Sequence, residues 1–228
     1  MKNICIIPAR GGSKRIPNKN LASLCGRPLI YYTLQAAKES KIFDKIIVST
    51  DSQDIAHFSN SCGVLVNELR PLHLSCDNST AANVIQHHIE NIPTGNICYL
   101  QPTSPLRSIE DILASYRKFK KGNYNSVIGV TSCEIPNEWT YQKEDNFDSF
   151  LATLNVKRSQ DYTERFRING AIYWFKVEAF KSATTHLIPY KSHPFFMPLE
   201  RSIDIDTELD LLIAETLMKE NLLQSSMR

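Results

Sequence analysis

The sequence lacks the features that mark a secreted or membrane-spanning protein. Its six cysteines stand at wide, irregular spacings with no Cys-x-x-Cys pair. Such spacing is typical of small buried side chains in a reducing compartment rather than of a disulfide framework. The first apolar run, residues 4–7, is too short for the core of a signal peptide or for a membrane span. These absences predict a cytoplasmic protein with no membrane segment.

An excess of charge of one sign is also missing. Lys and Arg number 26 and Asp and Glu number 24, so the formal net charge is +2 and a general affinity for nucleic acid is not expected. With 42% hydrophobic and 22% charged residues, the composition is that of a globular protein, not of a disordered chain or a coiled coil. The length of 228 residues favours a single domain over residues 1–228.

Short apolar runs alternate along the chain with segments of helical periodicity. Strands are predicted at 3–8, 45–50, 63–66, 96–100, 126–130 and 169–175. Helices are predicted at 28–38, 52–61, 80–92, 108–121 and 207–221. This alternation indicates an α/β fold with a mostly parallel sheet and helices on both faces. In such sheets ligands bind beyond the carboxyl ends of the strands.

Residues 131–166 interrupt the alternation. The segment is polar, contains Pro136 and Trp139, and has no clean period. We interpret residues 131–168 as an excursion from the domain, in the form of a flap, an arm or a β-rich insertion.

A glycine-rich basic loop follows the first predicted strand. It combines four cations with three small residues: Arg10, Gly11, Gly12, Ser13, Lys14, Arg15 and Lys19. Adjacent glycines let backbone N–H groups approach a phosphate closely, and the cations neutralise its charge. The loop matches neither the P-loop pattern nor the dinucleotide pattern, so neither of those sites is supported. The loop predicts a polyphosphate site, with a solvated basic surface loop as the alternative.

A second signal is the pair Asp204 and Asp206. Two residues apart on an apparent strand, both carboxylates project to the same face. Like charges held close together need a cation between them, and Mg²⁺ beside substrate phosphates meets that need. The alternative is an exposed strand end in which Asp206 caps the following helix. Together with the basic loop, the pair suggests nucleotidyl transfer.

The other polar residues give weaker evidence of a functional site. His87 and His88 are adjacent and cannot share a helix face, which disfavours a metal pair. Ser104 has no evident base and the chain has no Gly-x-Ser-x-Gly elbow, which disfavours a serine hydrolase. Asp51, at the carboxyl end of a predicted strand, is expected to serve a turn or to cap a helix, with an approach to the site as the alternative.

Four motifs carry a resemblance to a known family. Residues 7–21, 101–107, 169–173 and 202–210 occur in the order found in the CMP-sialic acid synthetases (acylneuraminate cytidylyltransferases), which the chain resembles over nearly its whole length. The resemblance implies a nucleotide-diphospho-sugar-transferase-like α/β fold. It also implies a homodimer in which the middle segment reaches over the partner's active site.

The resemblance also implies site residues, by position. The CTP triphosphate would contact Arg10, Gly11, Gly12, Ser13, Lys14, Lys19 and Asn20. Arg70 and residues 77–80, Thr80 among them, match the cytosine and ribose contacts. The sugar would contact Gln101, Arg158, Arg167, Asn169 and Tyr173, with the two arginines on its carboxylate. Asp204 and Asp206 would hold Mg²⁺, whereas Glu208 and Asp210 belong to the helix start, and the catalytic residues would be Lys19, Arg10 and Arg158.

The reaction so implied joins CTP to a nonulosonic acid, a nine-carbon 2-keto acid sugar, and releases pyrophosphate. The sugar 2-hydroxyl would attack the α-phosphorus in line. Residues 11–17 resemble versions from pseudaminic and legionaminic acid enzymes, and residues 101–105 resemble sialic and legionaminic ones, which favours legionaminic or sialic acid. The alternatives are a 3-deoxy-manno-octulosonate or other sugar nucleotidyltransferase, and a nucleotide-binding module without turnover.

Overall fold

The computed structural model describes residues 1–76, 78–122, 124–154, 157–158, 161–183 and 188–226. Its strands are β1 (Asn3–Pro8), β2 (Ser23–Leu24), β3 (Arg27–Pro28), β4 (Lys45–Ser49), β5 (Asn96–Tyr99), β6 (Ser126–Ser132), β7 (Phe166–Lys176) and β8 (Ser192–Phe196). Its α-helices are α1 (Leu29–Ser40), α2 (Gln53–Ser61), α3 (Ala81–Ile89), α4 (Ile109–Lys121), α5 (Phe147–Thr153), α6 (Val177–Ser182) and α7 (Glu208–Ser226).

Six strands form the main sheet, in the order β4-β1-β5-β7-β6-β8. The pairs β1–β4, β1–β5 and β6–β8 are parallel, whereas β7 is antiparallel to both β5 and β6. The mostly parallel sheet predicted from the alternation is therefore confirmed. The one reversed strand is β7, which directly follows the middle segment.

Helices cover both faces of this sheet, as predicted. Alternate residues of β1 point to opposite sides: Cys5 and Ile7 join the cluster that includes residues of α1, α2 and α4, and Ile4 and Ile6 join the cluster that includes residues of α3 and α6. Because the strands are covered on both faces, they are apolar throughout rather than alternating, as their sequences indicated.

A third apolar cluster lies at the carboxyl edge of the sheet. It joins the segment after the glycine-rich loop to the last helix, through Ile16, Leu24, Leu29 and Ala214, and includes the fully buried Ile205. Ile205 stands between Asp204 and Asp206, so its burial turns both carboxylates away from the core. This cluster brings the two ends of the chain together.

Several sequence-based boundaries were wrong. Residues 63–66 form no strand: Val64 N donates to Ser59 O as part of the turn that ends α2. Pro28 precedes α1 rather than lying in its first turn. Residues 202–206 are not part of a strand, although Asp204 and Asp206 still flank a buried residue.

The middle segment is narrower than predicted. Because β6 continues to Ser132 and β7 begins at Phe166, the connection between them covers residues 133–165. Its described part contains α5 and a 3-10 turn, Asn137–Trp139, and no strand. The division into one domain with an excursion stays a prediction.

No helix in the described ranges has both the length and the apolar character needed to cross a bilayer.

His88, on α3, provides a test of this packing. Burial lowers its pKa to about 4, and the nearby charges of His87, Arg70 and Lys45 act in the same direction. An unfolded histidine has a pKa near ~6.5, so between these values the unfolded chain binds more protons and the free energy of unfolding falls as pH falls.

As pH is lowered, the free energy of unfolding should fall by on the order of 1–2 kcal/mol less in His88→Gln than in wild type. This figure already takes the partial exposure of the side chain into account. Urea unfolding at about pH 7 and about pH 4.5 measures it. His57→Gln, on an exposed position of α2, is the control and should behave as wild type. An equal fall in His88→Gln and wild type would contradict the prediction.

Candidate functional site

The glycine-rich loop follows β1 and is held at both ends. At its start Ala9 N donates to Ser49 O at 2.8 Å, which fixes the loop to the end of β4. At its end the buried Asn20 donates from Nδ2 to Arg10 O at 2.9 Å. Gly12, Lys14 and the side chain of Arg10 face solvent between these points. The loop thus presents its cations at the carboxyl edge of the sheet, as the sequence predicted.

Lys19 brings the loop to the paired acids. Its Nζ donates to Ile205 O at 2.8 Å and to Asp206 Oδ1 at 3.0 Å. Arg15 Nη1 pairs with the other oxygen, Asp206 Oδ2, at 2.8 Å. The hydrogen bond from Lys19 is the main reason that the pKa of Asp206 lies below its usual value. The basic loop thus contacts the acidic pair at Asp206, through residues 187 and 191 positions away in sequence.

Asp204 occupies a different environment. Burial raises the pKa of its carboxyl group, and the charge of Asp206 adds to that rise, although a hydrogen bond from Thr103 opposes it. The adjacent backbone is also fixed, since Ile205 N donates to Thr103 O at 2.8 Å. The surroundings of Asp206 thus favour its ionised form, whereas those of Asp204 shift its carboxyl group toward the protonated form.

The acidic pair suits a small divalent cation. Mg²⁺ prefers oxygen ligands and is commonly held by one or two carboxylates together with substrate phosphates. Among the described residues no group of three or more His, Cys, Asp or Glu side chains could hold a metal alone. The donors therefore fit magnesium bound jointly with a phosphate ligand. Asp210 takes no part, because its Oδ2 accepts from Thr207 N at 2.7 Å and caps α7, as predicted.

Arg70 is a buried cation that lines the site, with 7% of its surface exposed. Within the described residues its Nε and Nη2 have no hydrogen-bond partner. Burial lowers the pKa of the guanidinium, and the nearby Asp51 carboxylate opposes that shift. Buried polar groups are ordinarily satisfied, so unpaired donors beside a cavity indicate a place for a ligand.

The cavity beside Arg70 has a volume of about 200 Å³. Six of the predicted site residues line it: Arg10, Lys19, Asn20, Arg70, Thr80 and Gln101. The other lining residues are Pro8, Ser79, Ala81, Val84, Tyr99, Pro102 and Thr103. Segments that follow β1 and β5 thus meet where the topology places a ligand.

Thr80 serves the fold as well as the cavity. It is the N-cap of α3, in a capping box with Asn83 whose side chain accepts from Thr80 N at 3.1 Å. A further contact to cytosine or ribose stays a prediction. Asp77, in the predicted base-contact segment, lies outside the described residues.

Gln101 and Gly170 lie against each other. A Cβ on Gly170 would come within 2.8 Å of Gln101 Oε1 and 3.7 Å of Asp204 Oδ2, and Gly170 has a φ of +77°. Asn169 is buried and donates from Nδ2 to Ser202 Oγ at 2.9 Å. Asn169 therefore supports the acidic segment from beneath, and its direct sugar contact stays a prediction.

Besides Asn169, three predicted sugar contacts lie outside the described lining of the cavity. Arg158, in the middle segment, and Arg167, on β7, are both exposed. Tyr173 is buried, and burial together with the charge of Asp204 raises its pKa to about 12. Tyr173 therefore packs close to the acidic pair as a neutral phenol, while the placement of the two arginines leaves their contact a prediction.

Two residues, Asp51 and Arg107, make contacts near the cavity that the sequence analysis did not assign to them. Asp51 does not cap α2, since Ser52 does so by accepting from Ile55 N at 3.4 Å. Instead, Asp51 Oδ1 accepts from Gly11 N at 2.8 Å. Arg107 is buried and donates to Ala171 O at 2.8 Å. A signal for Asp51 was its place at the carboxyl end of a parallel strand, whereas nothing local marked Arg107.

Comparison with known proteins agrees with this geometry. A family model described as Cytidylyltransferase matches residues 4–227. Pseudaminic acid cytidylyltransferase of Campylobacter jejuni (serotype O:2) is 33% identical, and the alignment covers 97% of this chain and 98% of that protein. CMP-N,N'-diacetyllegionaminic acid synthase of Legionella pneumophila is 30% identical, with coverages of 97% and 98%. N-acylneuraminate cytidylyltransferase of Escherichia coli O18:K1:H7 is 32% identical over 96% of this chain and 52% of that protein.

Solved structures share the fold. A CMP:2-keto-3-deoxy-manno-octonic acid synthetase complexed with CTP superposes with a TM-score of 0.73 at 16% identity, covering 97% of this chain and 100% of the other. A 4-diphosphocytidyl-2C-methyl-D-erythritol synthase from Anaerococcus prevotii superposes with a TM-score of 0.64 at 14% identity, covering 96% and 98%. At these identities the likeness concerns architecture alone.

The contact between Gly170 and Gln101 yields a prediction. Gly170→Ala should lower the free energy of unfolding by about 1–2 kcal/mol, because a side chain is strained at this positive φ. It should also push the Gln101 carboxamide aside. Gly12→Ala is the matched control, since nothing lies within 4 Å of its added Cβ. Urea unfolding of both variants measures the difference, and equal stabilities would contradict the prediction.

Proposed function

This chain belongs to the cytidylyltransferase family, and on that premise we propose that it transfers the cytidylyl group of CTP to a nonulosonic acid. The anomeric 2-hydroxyl of the sugar attacks the α-phosphorus, the bond to the β-phosphate breaks, and pyrophosphate leaves. The observation that carries the proposal is the cavity at the sheet edge, where Arg10, Lys19, Arg70 and Gln101 converge. The three aligned relatives, each named for a nonulosonate enzyme, support the sugar class.

The triphosphate lies in the glycine-rich loop in this proposal. The backbone of Gly11, Gly12 and Ser13 approaches the phosphates, and Arg10, Lys14 and Lys19 neutralise their charge. Lys19 is best placed for the α-phosphate, because it already lies between the cavity and Asp206. Charge stabilisation by groups fixed in advance is the main resource of phosphoryl-transfer enzymes. Lys19 and Arg10, with Arg158, are therefore the proposed catalytic residues.

Asp204 and Asp206 would hold Mg²⁺ beside the phosphates. The ion would supply positive charge to the phosphate oxygens at the reacting centre. The hydrogen bond from Lys19, together with the positive charges of Lys19 and Arg15, lowers the pKa of Asp206 and keeps it ionised.

The nucleoside and the sugar occupy opposite sides of this centre. Arg70 offers its unpaired donors to cytosine, with Thr80 at the rim of the same cavity. Gln101 contacts the sugar, supported by Asn169 and Tyr173 on β7. The exposed Arg158 and Arg167 bind the sugar carboxylate.

A homodimer formed through the middle segment is part of the proposal. Large apolar side chains are exposed on residues 133–165 and on the strands beside them: Ile135, Trp139, Tyr141, Phe147, Leu151, Phe166, Ile168 and Phe196. Two pairs of them are in ring contact, Tyr141 with Phe147 and Phe166 with Phe196, and exposed apolar side chains grouped in this way are typical of a protein interface. In the dimer this segment reaches over the partner's site, which brings Arg158 toward a sugar.

We place the reaction in the cytoplasm, where CTP is available and where the six cysteines, all free in this structure, stay reduced. The CMP-sugar would serve as an activated donor for cell-surface polysaccharide synthesis.

The reaction is tested by pyrophosphate release from CTP and Mg²⁺ with a panel of acceptors. The panel contains sialic, legionaminic and pseudaminic acids and 3-deoxy-manno-octulosonate. We expect release with one nine-carbon acid, at a kcat/KM at least about tenfold above the others. The pseudaminic and legionaminic acid relatives are 33% and 30% identical to this chain, and identities this similar do not rank the sugars.

The controls separate an enzyme from a binding module. Asp206→Ala should lower turnover by about 100-fold or more while far-ultraviolet circular dichroism stays unchanged, because it removes a proposed metal ligand. Asp54→Ala, an exposed acid of α2, should turn over as wild type. If no acceptor in the panel gives pyrophosphate release and calorimetry detects no binding of CTP, the cytidylyltransferase proposal is overturned. Release with the octulosonate alone would move the substrate to the eight-carbon class.

The dimer is tested by light scattering. Wild type should have twice the 26.0 kDa mass of the chain. Leu151→Glu should shift the protein to monomer, since a charge buried in an apolar interface is unfavourable by several kcal/mol, roughly. Leu72→Glu is the control, because Leu72 is even more exposed but lies outside the segment. A dimer that survives Leu151→Glu and a second change, Phe147→Glu, would refute this interface.

A further inference from the structure

The stretch of chain after β4 lies between the two halves of the proposed nucleotide site. Ser49 O accepts from Ala9 N at 2.8 Å, where the glycine-rich loop begins. The next residue, Thr50, accepts through its carbonyl from Arg70 N at 2.6 Å. Backbone contacts from consecutive residues therefore support both the triphosphate loop and the arginine proposed for the base.

Asp51 continues this link with its side chain. Its Oδ1 accepts from Gly11 N at 2.8 Å and lies 3.9 Å from Arg70 Nη2. Both side chains are largely enclosed, with 20% of Asp51 and 4% of Arg70 exposed. The same carboxylate oxygen thus accepts from a backbone donor of the loop and lies within ion-pair distance of a buried guanidinium.

At Gly11 the glycine-rich loop lies close to the stretch of chain after β4. A Cβ at Gly11 would lie 3.0 Å from Ser52 Cβ, so the loop backbone rests directly on the stretch after β4. The capping of α2 is already performed by Ser52. The carboxylate of Asp51 is therefore directed to the loop and not to the helix that follows it.

A carboxylate here has an electrostatic cost. Like charges repel, so Asp51 by its charge alone weakens the binding of a triphosphate to the adjacent loop. Its contribution must lie in geometry, because a loop that is ordered before binding loses less conformational freedom when the ligand arrives. The charge also compensates the buried Arg70, whose guanidinium would otherwise lie unpaired in the protein.

We propose that Asp51 is a positioning residue that holds Gly11 and Arg70 in the arrangement that CTP requires. The inference rests on the proposed function, since it takes the triphosphate to lie in the loop and the base to lie at Arg70. Asp51 touches neither ligand itself and acts through these two groups.

Two substitutions separate geometry from charge. Asp51→Asn keeps a side-chain oxygen that can accept from Gly11 N–H but removes the charge beside Arg70. Asp51→Ala removes both. Inorganic tripolyphosphate probes the loop alone, and CTP probes the loop and Arg70 together. Binding of each to the full chain is measured by calorimetry, and KM and kcat are measured in the pyrophosphate assay.

We expect Asp51→Ala to weaken tripolyphosphate binding about tenfold, despite the loss of a repelling charge, because the loop is no longer ordered. Asp51→Asn should bind tripolyphosphate at least as tightly as wild type. Both should raise KM for CTP, Asp51→Ala by about tenfold or more and Asp51→Asn by a few-fold, roughly, with kcat less affected. Asp54→Asn is the control for a nearby exposed carboxylate.

The direction of the change in tripolyphosphate affinity decides the proposal. If both variants bind tripolyphosphate more tightly, Asp51 is merely a nearby anion and the inference is wrong. Equal weakening in both variants would also overturn it, since the oxygen retained by asparagine would then have no effect. If Asp51→Ala does not fold, Asp51→Val, which fills the space without an acceptor, takes its place. Wild type that binds neither probe would instead overturn the proposed function, and this inference with it.

Discussion

The site depends on a buried guanidinium whose hydrogen-bond acceptors, among the described residues, are carbonyl and hydroxyl oxygens. Arg107 donates to Ala171 O and Thr33 Oγ1, both at 2.8 Å, and to Gln101 O at 3.3 Å. Burial lowers its pKa to about 10, so it still carries a charge at neutral pH. A buried charge is tolerated when most of its donors are paired, and of the three guanidinium nitrogens only Nε lacks a partner among the described residues. Arg107 therefore requires α1, the 101–107 loop and β7 to meet at one place, and that place is beside Gln101 and Gly170.

Several charged groups around the cavity are paired with one another in this structure. Asp206 is paired with Lys19 and Arg15, and Asp51 lies between Gly11 and Arg70. A bound triphosphate with its cation would replace some of the contacts that these groups make with one another. Because the cations are already held near their places, little reorganisation is needed when the nucleotide arrives, which is the condition for efficient electrostatic stabilisation.

Much of this site could be predicted because local signals were strong. Adjacent glycines among cations indicated a phosphate loop, and Asp204 and Asp206 on either side of Ile205 indicated a pair turned outward. Both signals depend on residues close in sequence. The middle segment could not be predicted in the same way, because its apolar side chains have no periodicity and are exposed in the single chain.

The sequence by itself determined most of the helices and strands of the main sheet and the chemical character of the loop, since apolar periodicity and glycine conformational freedom act over a few residues. It also determined that β5 and its loop would face the ligand edge. Only the tertiary structure decided that Asp51 contacts Gly11 rather than capping a helix, and that Lys19 reaches Asp206. These contacts join residues 40 and 187 positions apart. Their formation depends on strand order and on the burial of Ile205, which no local pattern encodes.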